Sequence, residues 1–417
     1  MGGRRRLGLA AMSRVFTPSS APRTLFLAFI EIALVAFSLV AGFQLLYNPG
    51  VFHQYAPLPG FAWQALAATL LTAVLASVAR WGLNAVRRLP ALSRRVLIVG
   101  SGNLAQAVEQ ELRRRRAWRT EVVGFVTGGV ETPSLVETGG KPFLGRSSDL
   151  CQIAEQTNAG RVIVAIEERR GAWPAGPLMR LRVQGIEVED AHTALAALTG
   201  RIWLEGLRPS WFLSCGGFHR SATQRILKRA ADVVLGAAGL LLAAPLMLAI
   251  AAAIKLESAG PVLYRQRRVG MRGAPFEMLK FRSMGEDAET DAGPQWALPD
   301  DPRVTPAGRY LRRFHLDELP QFINVLRGEM SFVGPRPERP VMVDRLSRLI
   351  PYYDERHALR PGITGWAQVN YGYGASVEDA LRKVEYDLFY LKNLSFLLDA
   401  RILLRTVRIV LLGRGGW

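Results

Sequence analysis

The run Val233–Ile254 constrains this chain more than any other stretch. It carries no charged residue, yet Pro245 sits at its centre and basic residues stand at both ends. It is long enough to cross a bilayer core. Lys228 and Arg229 precede it, however, and Lys255, Arg265, Arg267 and Arg268 follow. A single crossing would put one basic cluster outside, against the positive-inside rule. Proline also removes a backbone donor and bends a helix. A helix over 232–256 that enters the membrane, breaks at Ala244-Pro245 and returns to the cytoplasmic face resolves both conflicts. A straight spanning helix that tolerates its proline is the alternative.

Two earlier runs behave differently. Thr24–Tyr47 has one charge, Glu31, and Phe61–Ala79 has none and continues as a helix to about Val86. Arg4, Arg5, Arg6, Arg14 and Arg23 precede the first, while Arg80, Arg87, Arg88, Arg94 and Arg95 close or follow the second. The loop 48–60 between them has no Lys or Arg. The sequence therefore predicts a basic cytoplasmic tail over 1–23 and two transmembrane helices over 24–86, with both ends cytoplasmic. A cleaved signal peptide is disfavoured, because no small-residue site precedes the loop's proline and aromatic residues.

The net charge of +18 calls for an anionic partner. The long uncharged runs in a chain that is 49% hydrophobic point to lipid or a phosphorylated substrate and disfavour nucleic acid. Cys151 and Cys215 are the only cysteines, and the five histidines are scattered, so neither a disulfide framework nor a zinc site is expected.

A soluble block follows at 92–200. Arg95–Val99 reads as a strand and runs into Gly100-Ser101-Gly102-Asn103-Leu104-Ala105, then a helical stretch to about Arg116. This is the strand, glycine turn and helix of a dinucleotide fold. Glu121–Val126 and Arg161–Ile166 supply further strands of a small parallel sheet. The second strand ends Phe125-Val126-Thr127-Gly128-Gly129, with no acid for a ribose hydroxyl, so a degenerate Rossmann-like accessory domain is expected. An aromatic linker occupies 201–224, in which Trp203, Trp211, Phe212 and Phe218 suit either an interfacial belt or packing on that block.

The densest chemistry lies between Arg309 and Pro337. The adjacent acids Asp317-Glu318 follow Arg312 and Arg313, and Pro335-Arg336-Pro337 comes one short helix later. Carboxylates beside fixed guanidinium groups suit phosphoryl transfer. Taken alone, Asp317 could equally be an N-cap with Glu318 favourable in a first helical turn. At the end of the chain Arg401, Arg405 and Arg408 recur among Ile402, Leu403, Leu404, Val407 and Ile409. This is the pattern of a basic helix lying in the headgroup plane.

Six ordered blocks now carry a resemblance. They are KRAADVV at 228–234, GPVLYRQRRVG at 260–270, LKFRSM at 279–284, DPRVTPAGRYLRR at 301–313, LDELPQFINVLRGEMSFVGPRP at 316–337 and RPGITGWAQVN at 360–370. Together they resemble the bacterial sugar transferases known as monotopic phosphoglycosyl transferases, in their exopolysaccharide-biosynthesis branch. The resemblance implies a membrane-associated α/β protein with an N-terminal transmembrane helical hairpin and a Rossmann-like domain. A phosphoglycosyl transferase domain over 225–417, with its re-entrant helix, completes it.

The resemblance further implies transfer of a sugar 1-phosphate from a nucleotide sugar, a UDP-hexose, to undecaprenyl phosphate at the bacterial inner membrane. Asp317 is then the nucleophile, Glu318 its dyad partner, and both belong to a magnesium site. Arg336, held between prolines, is implied as a phosphate clamp, with Lys280, Arg282 and Arg312 as further phosphate contacts. RPGITGWAQVN is expected to wall the nucleotide pocket. Here the chain departs from shorter family members, carrying Tyr371-Gly372-Tyr373-Gly374 where they often have Gly-Arg. A Rossmann oxidoreductase and a non-catalytic assembly scaffold are the rival readings. The transferred sugar and the oligomeric state, a homo-oligomer included, stay open.

Overall fold

The computed structural model describes residues 94–114, 120–127, 142–167, 173–218, 221–285, 303–372, 374 and 376–411. The basic tail and the expected transmembrane pair at 24–86 lie outside the described residues. The chain divides into two compact units between Ala191 and His192.

The first unit is built on five strands: β1 (Arg94–Val99), β2 (Thr120–Thr127), β3 (Phe143–Arg146), β4 (Arg161–Val164) and β5 (Glu187–Asp190). They pair in the order β3-β2-β1-β4-β5, all parallel. Val96, Leu97, Ile98 and Val99 are fully buried, as an apolar strand covered on both faces must be. The expected strands correspond to β1, β2 and β4. β3 and β5 were not anticipated, because both are short edge strands and β5 reads Glu-Val-Glu-Asp, with three acids in four residues. Pairing with β4 and the ion pair Arg161–Glu189 hold it in place.

After β1 the chain turns at Gly100, whose φ is +133°. A Cβ there would lie 2.3 Å from the Ala165 carbonyl oxygen, so the turn needs glycine. Helix α1 (Asn103–Arg114) then packs through Leu104, Ala105, Val108 and Leu112. Helices α2 (Leu150–Gln156) and α3 (Ala175–Val183) complete the unit, with Leu150, Ile153, Leu178 and Leu181 in its core.

Helix α4 (Ala191–Thr199) and the segment after it belong to the second unit. On sequence alone these residues divide between an accessory domain ending at 200 and a linker over 201–224. Ala196, Ile202, Leu204, Leu207 and Trp211 instead join one core with Val333, Tyr353, Leu359 and Leu388. Polar contacts fix the join: Arg201 Nη1 donates to Glu385 at 2.6 Å, and Trp366 Nε1 donates to the Gly200 carbonyl at 2.7 Å. The aromatic residues therefore pack on the C-terminal unit. Trp211 lies in helix α5 (Pro209–Ser214), Phe212 sits against Tyr352, and Trp203 lies under Arg201.

Helix α6 (Ala222–Glu257) is a continuous 36-residue helix with Pro245 inside. Its start is a reciprocal cap between Ser221 and Gln224. By length and composition it is apolar enough to cross a membrane. Its first limb lies on α8 (Gln321–Arg327). A Cβ on Gly236 or Gly239 would approach Leu326 and Phe322 to 3.1 and 3.0 Å. Arg229 donates to the last carbonyls of α8, Val325 at 2.6 Å and Leu326 at 2.8 Å. Asp232 accepts from Ser331 Oγ at 2.9 Å and from the Phe332 amide at 3.0 Å, which ties α6 to β8 (Ser331–Val333). The second limb sends Ile250 and Ile254 into an apolar cluster with Phe281, Leu311, Leu316 and Leu319. Between the limbs, Leu241, Leu242 and Leu248 are more than two-thirds exposed.

The rest of the unit frames the site. β6 (Leu263–Val269) and β7 (Pro275–Phe281) form an antiparallel hairpin. Helix α7 (Pro306–Arg313) is capped by Thr305, and a short 3-10 turn, Leu316–Glu318, leads into α8. β8 pairs in parallel with β9 (Gly362–Thr364). Helices α9 (Pro340–Leu349), α10 (Trp366–Asn370), α11 (Val377–Lys392) and α12 (Phe396–Leu411) close the order.

On helix α12, two of the three arginines expected in the headgroup plane also make contacts inside the unit. Arg401 and Arg405 lie over the Trp366 ring at 5.7 and 5.4 Å, and Arg405 Nη1 donates to Asn370. Ile402 is buried, so the arginines share a flank with it. Its exposed residues are mixed: Phe396, Leu404 and Val407 are apolar, and Arg401 and Arg408 are exposed beside them.

Candidate active site

The 3-10 turn carrying the acid pair begins after His315, whose φ of 56° places it in the left-handed region. Such a conformation in a non-glycine residue is strained and turns the chain sharply out of α7. Pro320, not Asp317, stands at the N-cap of α8, and no side chain caps that helix. The capping alternative for Asp317 is therefore not realised. Asp317 and Glu318 are both largely buried, and they face the cations of two other elements.

Lys280, on β7, donates to Glu318 Oε1 at 2.8 Å and lies 3.8 Å from Asp317 Oδ2. Arg336 Nη2, from the loop after β8, donates to the same Glu318 oxygen at 2.9 Å. Its side chain is 46% exposed, so the guanidinium keeps an open side. The two acids consequently titrate apart. Burial works to raise Glu318, but Arg336 and Lys280 outweigh it and hold the carboxyl far below the usual range. Asp317 goes the other way: burial raises it, Lys280 opposes that, and the charge on Glu318 adds to the rise. Arg336 is in turn pushed up by Glu318. One acid is thus a fixed anion and the other a poised one, the usual division of labour in a carboxylate pair.

The remaining expected residues separate. Arg312 donates Nε to Ser283 Oγ at 3.0 Å and favours the ionised form of Asp317 from a distance. Arg282 does not reach the acids. Its guanidinium binds the end of α6, at Ser258 O (3.0 Å), Ser258 Oγ (2.8 Å) and the Ala259 carbonyl. Alternation would put Lys280 and Arg282 on one face, but β7 ends at Phe281, so Arg282 is free of the strand's register. Pro245 lies inside α6 and is exposed.

RPGITGWAQVN packs into the C-terminal core. Trp366 is buried against Phe389 and the arginines of α12, so it is core. Gly334, Gly362 and Gly365 let two backbones touch: a Cβ on Gly362 would lie 2.1 Å from the Gly334 nitrogen. This segment braces the Arg336 loop. Among Tyr371-Gly372-Tyr373-Gly374, Tyr371 donates to Asp379 and the Gly374 carbonyl accepts from Lys383.

Sequence reading missed several charged residues around Arg336. Arg268 of β6, Glu338, Lys383 and the buried pair Arg356–Asp387 all interact electrostatically with it or with one another. Burial and the neighbouring cations bring Arg268 down to about 10 despite Glu338. Arg268 stands inside GPVLYRQRRVG, but the three arginines there, Arg265, Arg267 and Arg268, give no means of choosing among them. For magnesium, two adjacent carboxylates with Glu318 already ionised supply hard oxygen donors. Among the described residues no group of three or more His, Cys, Asp or Glu could hold a metal ion. The pair fits a magnesium ion only where substrate phosphates complete the coordination.

The family described as bacterial sugar transferase matches residues 223–413, and that described as CoA-binding domain matches residues 18–189. A UDP-glucose:undecaprenyl-phosphate glucose-1-phosphate transferase of Klebsiella pneumoniae is 32% identical over 379 residues, covering 89% of this chain and 77% of its own. A UDP-N-acetylgalactosamine-undecaprenyl-phosphate N-acetylgalactosaminephosphotransferase of Aeromonas hydrophila is 43% identical over 249 residues, 60% of this chain and 58% of its own. An exopolysaccharide production protein of Rhizobium leguminosarum is 42% identical over 187 residues, 44% of this chain and 94% of its own. Against three further relatives the matched region spans only 40%, 66% and 60% of their length. With its six motifs, the acid pair facing Lys280 and Arg336, and these matches, the chain belongs to the bacterial sugar transferase family.

Proposed function

We propose that the protein transfers a sugar 1-phosphate from a UDP-hexose to undecaprenyl phosphate as the initiating step of exopolysaccharide synthesis. The observation that carries the reading is the split pair: Glu318 locked between Arg336 and Lys280, and Asp317 buried beside them with its carboxyl pushed up. An Asp317 oxygen attacks the phosphorus that bears the sugar. The bond from that phosphorus to the UMP oxygen breaks, and UMP leaves with the electron pair. A phosphate oxygen of the lipid then attacks the same phosphorus, and the aspartyl–phosphate bond breaks to restore the carboxylate. Arg336 offers its open side to phosphate oxygens, and Lys280 neutralises the charge that builds between the acids. Bound magnesium would be held by Asp317 and Glu318 and would offset repulsion between anions.

Glucose is the first sugar to test, followed by galactose and N-acetylated hexoses, since the named relatives differ on this point. The membrane geometry supports the reading. Both limbs of α6 close on one short stretch, 316–326, while its middle exposes leucines. The helix runs through Pro245 without the break expected at Ala244-Pro245, and its exposed middle is the part that would dip into the cytoplasmic leaflet, where Phe396, Leu404 and Val407 of α12 would meet the same lipid. Two helices at 24–86, expected from the sequence, would anchor the chain in the inner membrane.

Order of release tests the mechanism. UMP should appear before any lipid acceptor is added, in a burst no larger than the enzyme concentration, and initial rates should give parallel double-reciprocal lines. Intersecting lines without a burst would mean direct attack by the lipid, with Asp317 reduced to a ligand.

A further inference from the structure

Arg336 is held between two prolines, neither of which has an N–H. The loop is therefore secured through its carbonyls, and each has a fixed donor. The Pro335 carbonyl accepts from the Gly362 amide at 2.9 Å. The Arg336 carbonyl accepts from Arg356 Nη2 at 3.0 Å, and the Pro337 carbonyl from Arg268 Nη1 at 2.9 Å. The Glu338 carbonyl accepts from the Val269 amide at 3.0 Å. Four consecutive carbonyls are thus gripped from three elements, two of them by guanidinium groups.

Arg356 is the more committed of the two. It is 5% exposed, and the same Nη2 that holds the Arg336 carbonyl also donates to Asp387 Oδ2 at 2.7 Å. Nε donates to that oxygen as well, at 3.0 Å, and Nη1 donates to the Tyr353 hydroxyl at 3.0 Å. Desolvation makes such a buried pair a poor source of stability, and an apolar substitute often serves as well. Its geometry is what an apolar substitute cannot copy. Lysine cannot copy it either, having one nitrogen where the fork uses three. On the outer side Arg268 is itself oriented by Gln266 and Glu338.

We propose that Arg356 and Arg268 are positioning residues for Arg336: they set the height and direction of the clamp over Glu318 without touching substrate themselves. The assignment rests on the phosphoryl-transfer reading only for its kinetic arm.

The test uses full-length protein in lipid nanodiscs, with Arg356→Lys, Arg268→Lys and Arg336→Lys singly and combined. Hydrogen exchange of peptides covering 331–338 should accelerate in the first two variants, while exchange in the five-stranded unit stays unchanged. UMP release should fall about a hundredfold in each, the scale of an ångström of misplacement. In the Arg336→Lys background neither substitution should cost a further loss, because the fork they position is already gone. Unchanged exchange at 331–338 would overturn the proposal, as would an equal fold-loss in the two backgrounds. Absence of UMP release from wild type with every nucleotide sugar would sink the proposed reaction instead, and the exchange arm would still decide the positioning. Arg268, less buried, keeps the test decisive if Arg356→Lys fails to fold.

Discussion

The two units handle a carboxylate beside an anion-binding position in opposite ways. In the five-stranded unit the glycine turn leads into the start of α1, where backbone amides favour a phosphate. There Glu167 Oε1 accepts from the Leu104 amide at 2.8 Å, and a Cβ on Gly102 would lie 2.6 Å from the same oxygen. The chain's own acid takes the position. In the C-terminal unit Glu318 likewise satisfies Lys280 and Arg336, but Arg336 retains an exposed side and Asp317 stands next to it. The first arrangement is closed by a local acid. The second keeps cationic capacity beside a buried carboxyl pushed up, the arrangement that the proposed transfer uses.

The harshest way to break this comparison is Asp317→Asn. UMP release should fall by about four orders of magnitude, because an amide retains the shape and loses the nucleophile. Stability provides the control. Burial raises the Asp317 carboxyl, so its ionisation at neutral pH works against folding, and the melting temperature of Asp317→Asn should hold or rise. A lower melting temperature with retained turnover would return Asp317 to a structural role.

A smaller effect concerns pH. Attack requires ionised Asp317, so the acidic limb of kcat/KM should lie above the ordinary carboxylate range. Lys280 favours the ionised form, and Lys280→Met should therefore shift that limb to higher pH, as a pH–rate profile would record. A limb that stays in place would show that Lys280 and Asp317 do not communicate.

The smallest expected effect is at the other acid. Glu167→Ala should leave UMP release within about twofold of wild type and lower stability by about 1 kcal/mol, the scale of a lost helix-start contact, measured by thermal denaturation. A large kinetic loss would mean the five-stranded unit acts on the reaction.

Local chemistry made several elements readable from the chain alone. Val96–Val99, the glycine turn and α1 were legible because buried parallel strands are continuously apolar and because Gly100 occupies a conformation other residues avoid. The Asp317-Glu318 pair, Lys280 and Arg336 were marked by their motifs, and the uncharged run with its central proline marked α6. Edge strands β3 and β5 were hidden, since four-residue strands carry too little periodicity. Residues 201–218 looked like a linker because no local pattern shows that Ile202, Leu204 and Trp211 complete another unit's core. Arg282 and Arg312 were indistinguishable from Arg336 by type, and Arg356, Asp387 and Arg268 gave no signal of their own. Direction decides those cases. Whether a guanidinium ends on a helix terminus, a backbone carbonyl or an acid depends on contacts between residues 18 to 24 positions apart, and only the folded chain brings those partners within 3 Å.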